Sequence, residues 1–433
     1  MKTLALSLAL VGILIPSPAA HAKTLKVPDD HPDINAALAA ASPNDKIVVK
    51  AGTYVGRVTV PPWLDGLSLV GKGKVIIDPE PTESGVGTVL FVLADRVRVK
   101  NLLVRHGRQG HGLGSGVHVE GDECTLEEVR VEDCDAFGVF GIGDDLVLRD
   151  VRVEGAFGGV VLSGDRARLI GVVVDTVEEN GIQVTGDHVD VKGAKVNGAE
   201  IGCRVNGEQS TVRSGRFSNC NEGIRAYGLN ADLRDNVVAG FGTVGIRTSG
   251  PFARVRDNEV GPEGYVESIG IWLTNGDAVV SGNDVRGVSN GIVAQGKRGR
   301  IKKNDVRGCG DAATSGASIA VSGNDSDVLG NVVRDSVRSG IEVKGHRVLV
   351  AGNDVSKSLR NGIVVRTGDG HQVIDNDVVG NHGDGIANLA DGTELCGNTV
   401  KKNRTDISND GQVALFEKNI FVTGGVETAS EID

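Results

Sequence analysis

Arginine recurs at one position of a six-residue pattern that returns along the chain. Successive copies read GIQVTG, GCRVNG, GIRAYG, GIRTSG and GIWLTN. The third position of these hexads holds, in order, Gln183, Arg204, Arg225, Arg247 and Trp272. Guanidinium groups pair with carboxylates in a planar, two-point geometry, and an indole offers a flat apolar face to a sugar ring. This combination favours a surface that binds an acidic sugar.

The fifth hexad position adds polar side chains beside the arginines: Thr185, Asn206, Tyr227, Ser249 and Thr274. Stacked arginines repel each other unless an anion neutralises them, so we expect a groove for an acidic polysaccharide. Gln183, Arg204, Asn206, Trp272 and Thr274 would bind the substrate. Arg225 and Arg247 would neutralise a uronate carboxylate, and Tyr227 is the nearest candidate base for β-elimination or epimerisation.

The alternative for this surface is a solvated face without a ligand. On that interpretation, nearby carboxylates such as Glu200 and Glu222 would satisfy the arginines.

A second candidate site lies in the glycine-rich stretch RHGRQGHGLGSGVHV, residues 105 to 119. It contains His106, His111 and His118, which could bind a metal or perform acid–base chemistry. Only His118 has a defined outward position, and a solvated loop is the alternative.

A third pattern is a series of carboxylates, Glu259, Asp284, Asp305, Asp354 and Asp377, each directly after a recurring asparagine. Aligned carboxylates could hold Ca²⁺, the one cofactor that the sequence suggests. Asn–Asp pairs are also ordinary turn residues.

The spacing of the hexads predicts the elements that carry these side chains. The hexads from Gly181, Gly202, Gly223 and Gly245 start 21 or 22 residues apart, which indicates a repeat architecture. Between them, short segments of alternating apolar residues predict strands, not helices. The recurring asparagines are Asn236, Asn258, Asn283, Asn304, Asn331, Asn353, Asn376, Asn398 and Asn419.

Two or three short strands per repeat predict an all-β parallel β-helix, in which each strand pairs with its copy one coil away. Stacked asparagines would then form a structural ladder. In GIRAYG, Ile224 and Ala226 should point inward, while Arg225 and Tyr227 point outward. We expect Gly223 to supply the backbone freedom of a sharp corner.

The GIxV hexads and xGNxV segments resemble the parallel β-helix repeats (PbH1 type) of the pectin-lyase-like superfamily. Residues 33 to 60 are similar to the opening of its NosD-like and pectinesterase-like branches, where a short amphipathic helix caps the solenoid. Here Ile34, Ala37, Leu38 and Ala41 form the apolar stripe of that helix. The resemblance implies a right-handed helix, with the cap and first coils at 23–78, repeats at 79–423 and a tail at 424–433.

Catalytic motifs of that superfamily do not carry over to this chain. Gly110-His111-Gly112, Asp144-Asp145 and Arg300-Ile301-Lys302 match polygalacturonase fragments, but in the wrong order and without NTDG. Whether the chain is an enzyme therefore stays open. The alternative is a non-catalytic NosD-like accessory protein or a structural solenoid. NosD-like relatives are associated with copper insertion into nitrous oxide reductase, yet this chain has one methionine and no Cys–His cluster outside the histidine stretch.

The N-terminal sequence indicates the location of the protein, and the net charge limits the classes of partner. Residues 1–22 read as a secretory signal peptide ending in Ala-His-Ala, and no later segment predicts a membrane span, so we expect a secreted or periplasmic protein. A net charge of −11 argues against nucleic acid as a partner.

The six cysteines match no metal or redox motif, and most should be unpaired. The oligomeric state stays open.

Overall fold

A computed structural model describes residues 22–79, 87–108, 114–261, 267–310 and 316–421, and the backbone of 426–428. The chain winds as a parallel β-helix in which strands pair with the equivalent strand of the next coil, in parallel throughout. Among the described residues there is a single helix, Ile34–Ala40. The predicted all-β parallel β-helix with a short N-terminal helix is confirmed.

The first coils combine short strands with long strands, such as Thr125–Ile142, that turn corners without interruption. These strands are Thr24–Val27, Lys46–Val55, Val58–Val60, Ser68–Asp78, Leu90–Val92, Arg98–Arg105, Val117–Val119, Thr125–Ile142, Val147–Arg149, Arg152–Ser163, Arg168–Ile170, Val173–Val177, Asn180–Thr185, Asp190–Lys192, Lys195–Asn206, Thr211–Arg213 and Arg216–Tyr227.

From residue 232 onward, each coil has three separate strands, which stack into three sheets. The first sheet contains Asp232–Arg234, Arg254–Arg256, Val279–Ser281, Arg300–Lys302, Asp327–Leu329, Leu349–Ala351, Gln372–Ile374, Thr393–Cys396 and Val413–Glu417. The second contains Val237–Ala239, Glu259–Val260, Asp284–Arg286, Asp305–Arg307, Val332–Arg334, Asp354–Ser356, Asp377–Val379, Thr399–Lys401 and Ile420–Phe421. The third, here called the hexad sheet, continues the GIxV strands with Val244–Thr248, Ile269–Leu273, Asn290–Ala294, Ala317–Val321, Ser339–Val343, Ile363–Val365, Asp384–Asn388, Thr405–Asn409 and Val426–Thr428.

The hexad glycine is required by close packing and not by backbone freedom. Gly223 does not adopt the left-handed conformation, so the predicted reason for this glycine is wrong. A β-carbon at Gly223 would come within 2.2 Å of Val238 Cγ1 and 2.5 Å of the carbonyl oxygen of Gly245. The next coil therefore approaches the strand so closely that no side chain fits.

The recurring asparagines form a buried ladder between the first and second sheets, as predicted. Asn304 Nδ2 donates to Asn331 Oδ1 at 2.9 Å and to the carbonyl oxygen of Val280 at 3.1 Å. The backbone N–H of Asn304 donates to the same Asn331 oxygen at 3.0 Å. In earlier coils the corresponding corner is filled by apolar side chains such as Val151 and Val172, both fully buried.

The helix Ile34–Ala40 begins at Asp33, whose Oδ1 accepts a hydrogen bond from the backbone N–H of Ala36 at 2.8 Å. Ile34, Ala37 and Leu38 are buried against the first strands, which confirms the predicted stripe. The helix thereby covers the edge of the first coil. Within the described part of the chain, no helix is long and apolar enough to cross a membrane.

The six cysteines are free thiols, as expected for most of them. All but Cys396 are buried. Burial raises the pKa of Cys220 to about 11 and that of Cys203 to about 12. These thiols therefore stay protonated at neutral pH and serve as small core residues.

Candidate functional site

The predicted third-position side chains lie in one row on the outside of the hexad sheet. In successive strands Gln183 pairs with Arg204, and Arg204 with Arg225. The row continues from Arg225 to Arg247 and from Arg247 to Trp272. Because neighbouring strands are about 4.8 Å apart, the three arginines occupy consecutive rungs.

The fifth-position row lies beside the arginines. Thr185, Asn206 and Tyr227 are register partners in successive strands. Further on, the Thr274 hydroxyl donates to Ser249 Oγ at 3.2 Å. The intervening Ile224 and Ala226 are fully buried, so the predicted inward and outward directions are confirmed.

Glu222 is the carboxylate that neutralises part of the arginine row. Arg225 donates from Nε to Glu222 Oε2 at 2.6 Å and from Nη2 to Oε1. Arg247 Nη1 lies 3.5 Å from the same Oε1. The Glu222 side chain is only 7% exposed, and its hydrogen bonds raise the pKa of Arg225 above the usual range. We call Glu222, Arg204, Arg225, Arg247 and Trp272 the arginine cluster.

The alternative interpretation, in which Glu200 and Glu222 both satisfy the arginines, holds for Glu222 alone. Glu200 instead accepts a hydrogen bond from Asn221 Nδ2 at 2.8 Å. Arg225 and Arg247 are also not freely solvated, because their side chains are only 20% and 26% exposed.

Positive charge exceeds negative charge in the arginine cluster. Arg204 forms no ion pair among the described residues. Its Nε donates to Asn206 Oδ1 at 3.4 Å, and its Cζ lies 5.5 Å from the centre of the Tyr227 ring. Three arginines and one glutamate therefore leave a surplus of two positive charges, although only Arg225 and Arg247 share Glu222.

Two buried donors in the arginine cluster have no acceptor in the described part of the chain. They are Arg247 Nε and the indole nitrogen of Trp272. The two side chains lie against each other, with Arg247 Cζ 4.2 Å from the Trp272 ring centre. A buried donor without a partner is costly, and both donors suit a carboxylate or hydroxyl oxygen.

The histidines of the second candidate site have separate environments. His106 Nδ1 lies 2.8 Å from buried Asp78 Oδ1, and its Nε2 lies 3.5 Å from Asp133 Oδ2. His111 lies outside the described residues. Within those ranges no three His, Cys, Asp or Glu side chains gather in a way that could hold a metal. A metal or acid–base role for His106 and His111 stays a prediction.

His118 lies on the hexad sheet between two phenyl rings. Its ring centre is 4.5 Å from that of Phe91 and 4.8 Å from that of Phe140. Its Nε2 lies 3.1 Å from Glu120 Oε1, without the geometry of a hydrogen bond. Burial lowers the pKa of His118, although Glu120 opposes the shift. Its role in acid–base chemistry stays a prediction.

The carboxylate series predicted for Ca²⁺ is aligned only in part. Glu259, Asp284 and Asp305 are register partners. Arg286 and Arg307 each bind both carboxylate oxygens of the aspartate two residues before them. These arginines occupy the oxygens that a calcium ion would need, so the structure offers no support for this prediction.

Asp354 and Asp377 continue the series after an interruption by Val332. Asp354 Oδ2 lies 3.2 Å from Arg334 Nη2, and Asp377 Oδ1 lies 3.9 Å from Lys401 Nζ. These carboxylates also have cationic neighbours in place of further acids.

A second buried carboxylate on the hexad sheet was not predicted from the sequence. Glu342, whose side chain is 5% exposed, pairs with Lys344 Nζ at 2.6 Å and with Arg366 Nε at 2.9 Å. It occupies the third position of GIEVKG, further along the row that contains Trp272. The third position holds varied side chains in the neighbouring hexads, so a single acid there gave little signal in the sequence. We call Glu342, Lys344 and Arg366 the lysine cluster.

Residues 253–432, less than half of the chain, match the family model described as periplasmic copper-binding protein (NosD). No curated protein matches the sequence. The parallel β-helix together with the NosD match confirms the predicted resemblance to pectin-lyase-like β-helix proteins.

Solved structures of other β-helix proteins are similar at low identity. An exopolygalacturonase from Thermotoga maritima is 12% identical with a TM-score of 0.43, over 67% of this chain and 83% of that one. A periplasmic alginate epimerase, AlgG, is 11% identical with a TM-score of 0.36, over 88% and 77% of the two chains. A DFA-IIIase from Arthrobacter chlorophenolicus A6, without its lid, is 12% identical with a TM-score of 0.40, over 81% and 94%. At these values no activity or substrate transfers to this chain.

Proposed function

We propose that the chain binds an acidic polysaccharide along the outer face of the hexad sheet, at the arginine cluster. The observation that carries the proposal is the surplus of positive charge around Glu222, beside two buried donors without acceptors. A ligand carboxylate would supply the missing negative charge, and rotation of the Arg247 and Trp272 side chains would present these donors to it. The rings of Tyr227 and Trp272 would pack against sugar rings.

The row geometry favours an extended ligand over a compact one. Arg204, Arg225, Arg247 and Trp272 repeat at the strand spacing of about 4.8 Å, along the axis of the solenoid. A polysaccharide lying along this axis would present one acidic group after another to the arginines. Gln183, Asn206 and Thr274 would contact its hydroxyl groups at the edges of the row.

A uronate lyase or epimerase is the reaction that this arrangement suits. Such chemistry needs a neutralised carboxylate and a base at the adjacent carbon. Arg225 and Arg247 would neutralise the carboxylate, and Tyr227, beside them in the second row, would accept the proton. Arg247 is the better placed of the two, since Arg225 already binds both oxygens of Glu222.

A second candidate function is that of a NosD-like accessory protein. It is favoured by the match of residues 253–432 to a periplasmic family whose description is copper binding. The signal-like sequence at residues 1–22 suits the same location. Copper binding would appear as a change in the spectrum of the protein when Cu²⁺ is added, and the arginine cluster would have no part in it.

Fluorescence of Trp272 tests the binding proposal. Trp63, which is 69% exposed, is first replaced by phenylalanine so that Trp272 is the single tryptophan. This variant is titrated with oligogalacturonate, oligoalginate and neutral maltohexaose. The expected result is a fluorescence change with at least one acidic ligand and none with maltohexaose. Ultraviolet absorbance in the same cuvette would reveal a lyase.

Arg204→Ala is the informative variant because Arg204 lacks an ion pair among the described residues, so its loss should leave the fold intact. We expect acidic ligand binding about tenfold weaker, equivalent to about 1.4 kcal/mol. Arg254→Ala, which removes an exposed arginine from the first sheet, is the matched control. Equal affinities of the two variants, or an equal Trp272 fluorescence change with acidic and neutral ligands, would reject the proposal.

A further inference from the structure

Phe252 occupies a corner of the solenoid that is otherwise polar. The corner joins the hexad strand Val244–Thr248 to the first-sheet strand Arg254–Arg256, and the φ angle of Phe252 is 58°. The equivalent corners of neighbouring coils share this left-handed backbone and are occupied by His188, Gln209, Asn230, Asp277, Arg298, Asp325 and Arg347.

A phenylalanine is exceptional at this corner in two ways. The other residues there are polar or charged and can hydrogen-bond or be solvated in the left-handed conformation, which a phenyl ring cannot do. Phe252 is also 49% exposed, so it gains little from burial in the core. An exposed apolar ring that the core does not need can serve a binding surface.

Phe252 forms one wall of an open pocket of about 460 Å³. Most of the remaining lining is charged: Asp277, Arg298, Arg300, Asp325 and Asp327. Two arginines and three aspartates give this lining a net charge of minus one, in contrast to the surplus of positive charge in the arginine cluster.

Each charged group of the pocket already has a partner of opposite charge. Arg298 binds Asp277 through two hydrogen bonds of 2.6 Å, and Arg300 Nε lies 3.4 Å from Asp327 Oδ2. Asp325 Oδ1 accepts from Nε of Arg347 at 2.7 Å. A charged ligand would therefore gain little net attraction here. A neutral ligand with many hydroxyl groups can donate to the aspartates and accept from the arginines without disturbing these pairs.

We propose that Phe252 and the paired charges around it form a binding site for a neutral sugar unit, separate from the arginine cluster. The phenyl ring supplies an apolar face for the sugar ring. Asp277, Asp325 and Arg300 supply hydrogen bonds to its hydroxyl groups. The site does not depend on the function proposed for the hexad sheet, since the two surfaces share no residue.

Saturation-transfer NMR with cellohexaose, xylohexaose, maltohexaose and laminarihexaose tests the site. At least one of these neutral oligosaccharides should bind, and Phe252→Asn should weaken that binding at least tenfold. Because asparagine suits the left-handed corner, the melting temperature of this variant should not fall. Phe252→Tyr, which keeps the ring, should retain binding. Leu359→Asn, at another exposed apolar side chain, is the control and should have no effect.

Two outcomes would overturn the proposal: none of the four oligosaccharides binds, or the one that binds does so equally well to Phe252→Asn. Oligogalacturonate binding, measured in the same variants, should not respond to Phe252→Asn. A failure of the sugar site is thereby distinguished from a failure of acidic ligand binding at the arginine cluster.

Discussion

Among the residues with described side chains, the hexad sheet contains two buried glutamates, which are held by cations in different ways. Glu342 gives one oxygen to Lys344 and the other to Arg366. Both oxygens of Glu222 bind Arg225, and Arg247 shares one of them. Lys344 and Arg366 are 49% and 42% exposed, whereas the two arginines around Glu222 are 20% and 26% exposed.

The difference separates an internally satisfied ion pair from a site that can accept a ligand. The lysine cluster has no buried donor without an acceptor among the described residues, and its row neighbours Ala320 and Val364 are small or aliphatic. The arginine cluster has two such donors, Arg247 Nε and the indole nitrogen of Trp272. It also has the flat ring of Trp272 and an additional arginine, Arg204. A buried carboxylate is therefore a weak sign of function, and surplus cations with unpaired donors are a stronger one.

The largest expected effect is on stability when each carboxylate is removed. In Glu222→Gln, the half-buried Arg225 and Arg247 lose their common anion, so the free energy of unfolding should fall by about 3 kcal/mol. In Glu342→Gln, water can solvate the exposed Lys344 and Arg366, so the loss should be about 1 kcal/mol. Urea denaturation followed by circular dichroism measures both values.

An acidic ligand should also stabilise Glu222→Gln more than the unsubstituted protein, because it replaces the missing anion. Glu342→Gln is the matched control and should show no such additional stabilisation. If both substitutions lower the free energy of unfolding equally, and oligogalacturonate stabilises both variants equally, the two clusters are equivalent and the distinction between them is wrong.

An intermediate effect is expected from pH, through a buried histidine in the turn after Arg366 of the lysine cluster. Buried His371, in the turn after Arg366, accepts the Val348 N–H at Nδ1 (3.3 Å), and its Nε2 faces the Thr367 carbonyl oxygen at 3.1 Å. It is therefore held neutral, and burial lowers its pKa. Between the ordinary histidine value of about 6.5 and this lowered pKa, the unfolded chain binds more protons. Stability should therefore fall as the pH falls through that window.

Urea midpoints at pH 7.5 and pH 5 test this dependence. The difference between the two midpoints should shrink in His371→Gln, which cannot take up a proton. His346 and Asp369 lie near this turn, and their charges shift the pKa of His371 in opposite directions. His118→Phe is the parallel variant, since burial lowers the pKa of His118 as well. An undiminished pH dependence in His371→Gln would assign it to other groups.

The smallest effect is expected from Lys344→Ala. Lys344 is about half exposed, and Glu342 retains Arg366, so the free energy of unfolding should change by less than about 1 kcal/mol. Oligogalacturonate affinity should stay the same, in contrast to the tenfold loss in Arg204→Ala. A loss of affinity in Lys344→Ala would extend the binding surface to the lysine cluster.

Repetition made much of the fold predictable from the sequence. A period of 21 or 22 residues gives the length of one coil, so the register of Arg225 with Arg247 follows directly. The alternation of apolar and polar residues decides which side chains point inward, so the direction of Ile224 follows as well. The asparagine ladder was predictable because identical polar residues at one corner can satisfy each other. The cap helix was predictable from its apolar stripe.

The ion pairs were less predictable, because they depend on side-chain contacts across coils. Glu222 and Glu200 were both candidates to neutralise the arginines, but the repeat does not indicate that Glu222 alone does so, or that it reaches both Arg225 and Arg247 of the following coil. Glu342 was overlooked because a single acid breaks no pattern. The reason for Gly223 was also misjudged, since the close approach of Val238 is a property of the packed coils and not of the local chain.

The most direct measurement is hydrogen–deuterium exchange of the protein with and without saturating oligogalacturonate. The binding proposal predicts slower exchange in peptides covering 201–206, 222–227, 244–248 and 269–273, with unchanged exchange at 339–343 and 363–365. The same protection should be absent with maltohexaose. Protection confined to the lysine cluster, or no protection anywhere on the hexad sheet, would contradict the assignment of the arginine cluster as the ligand site.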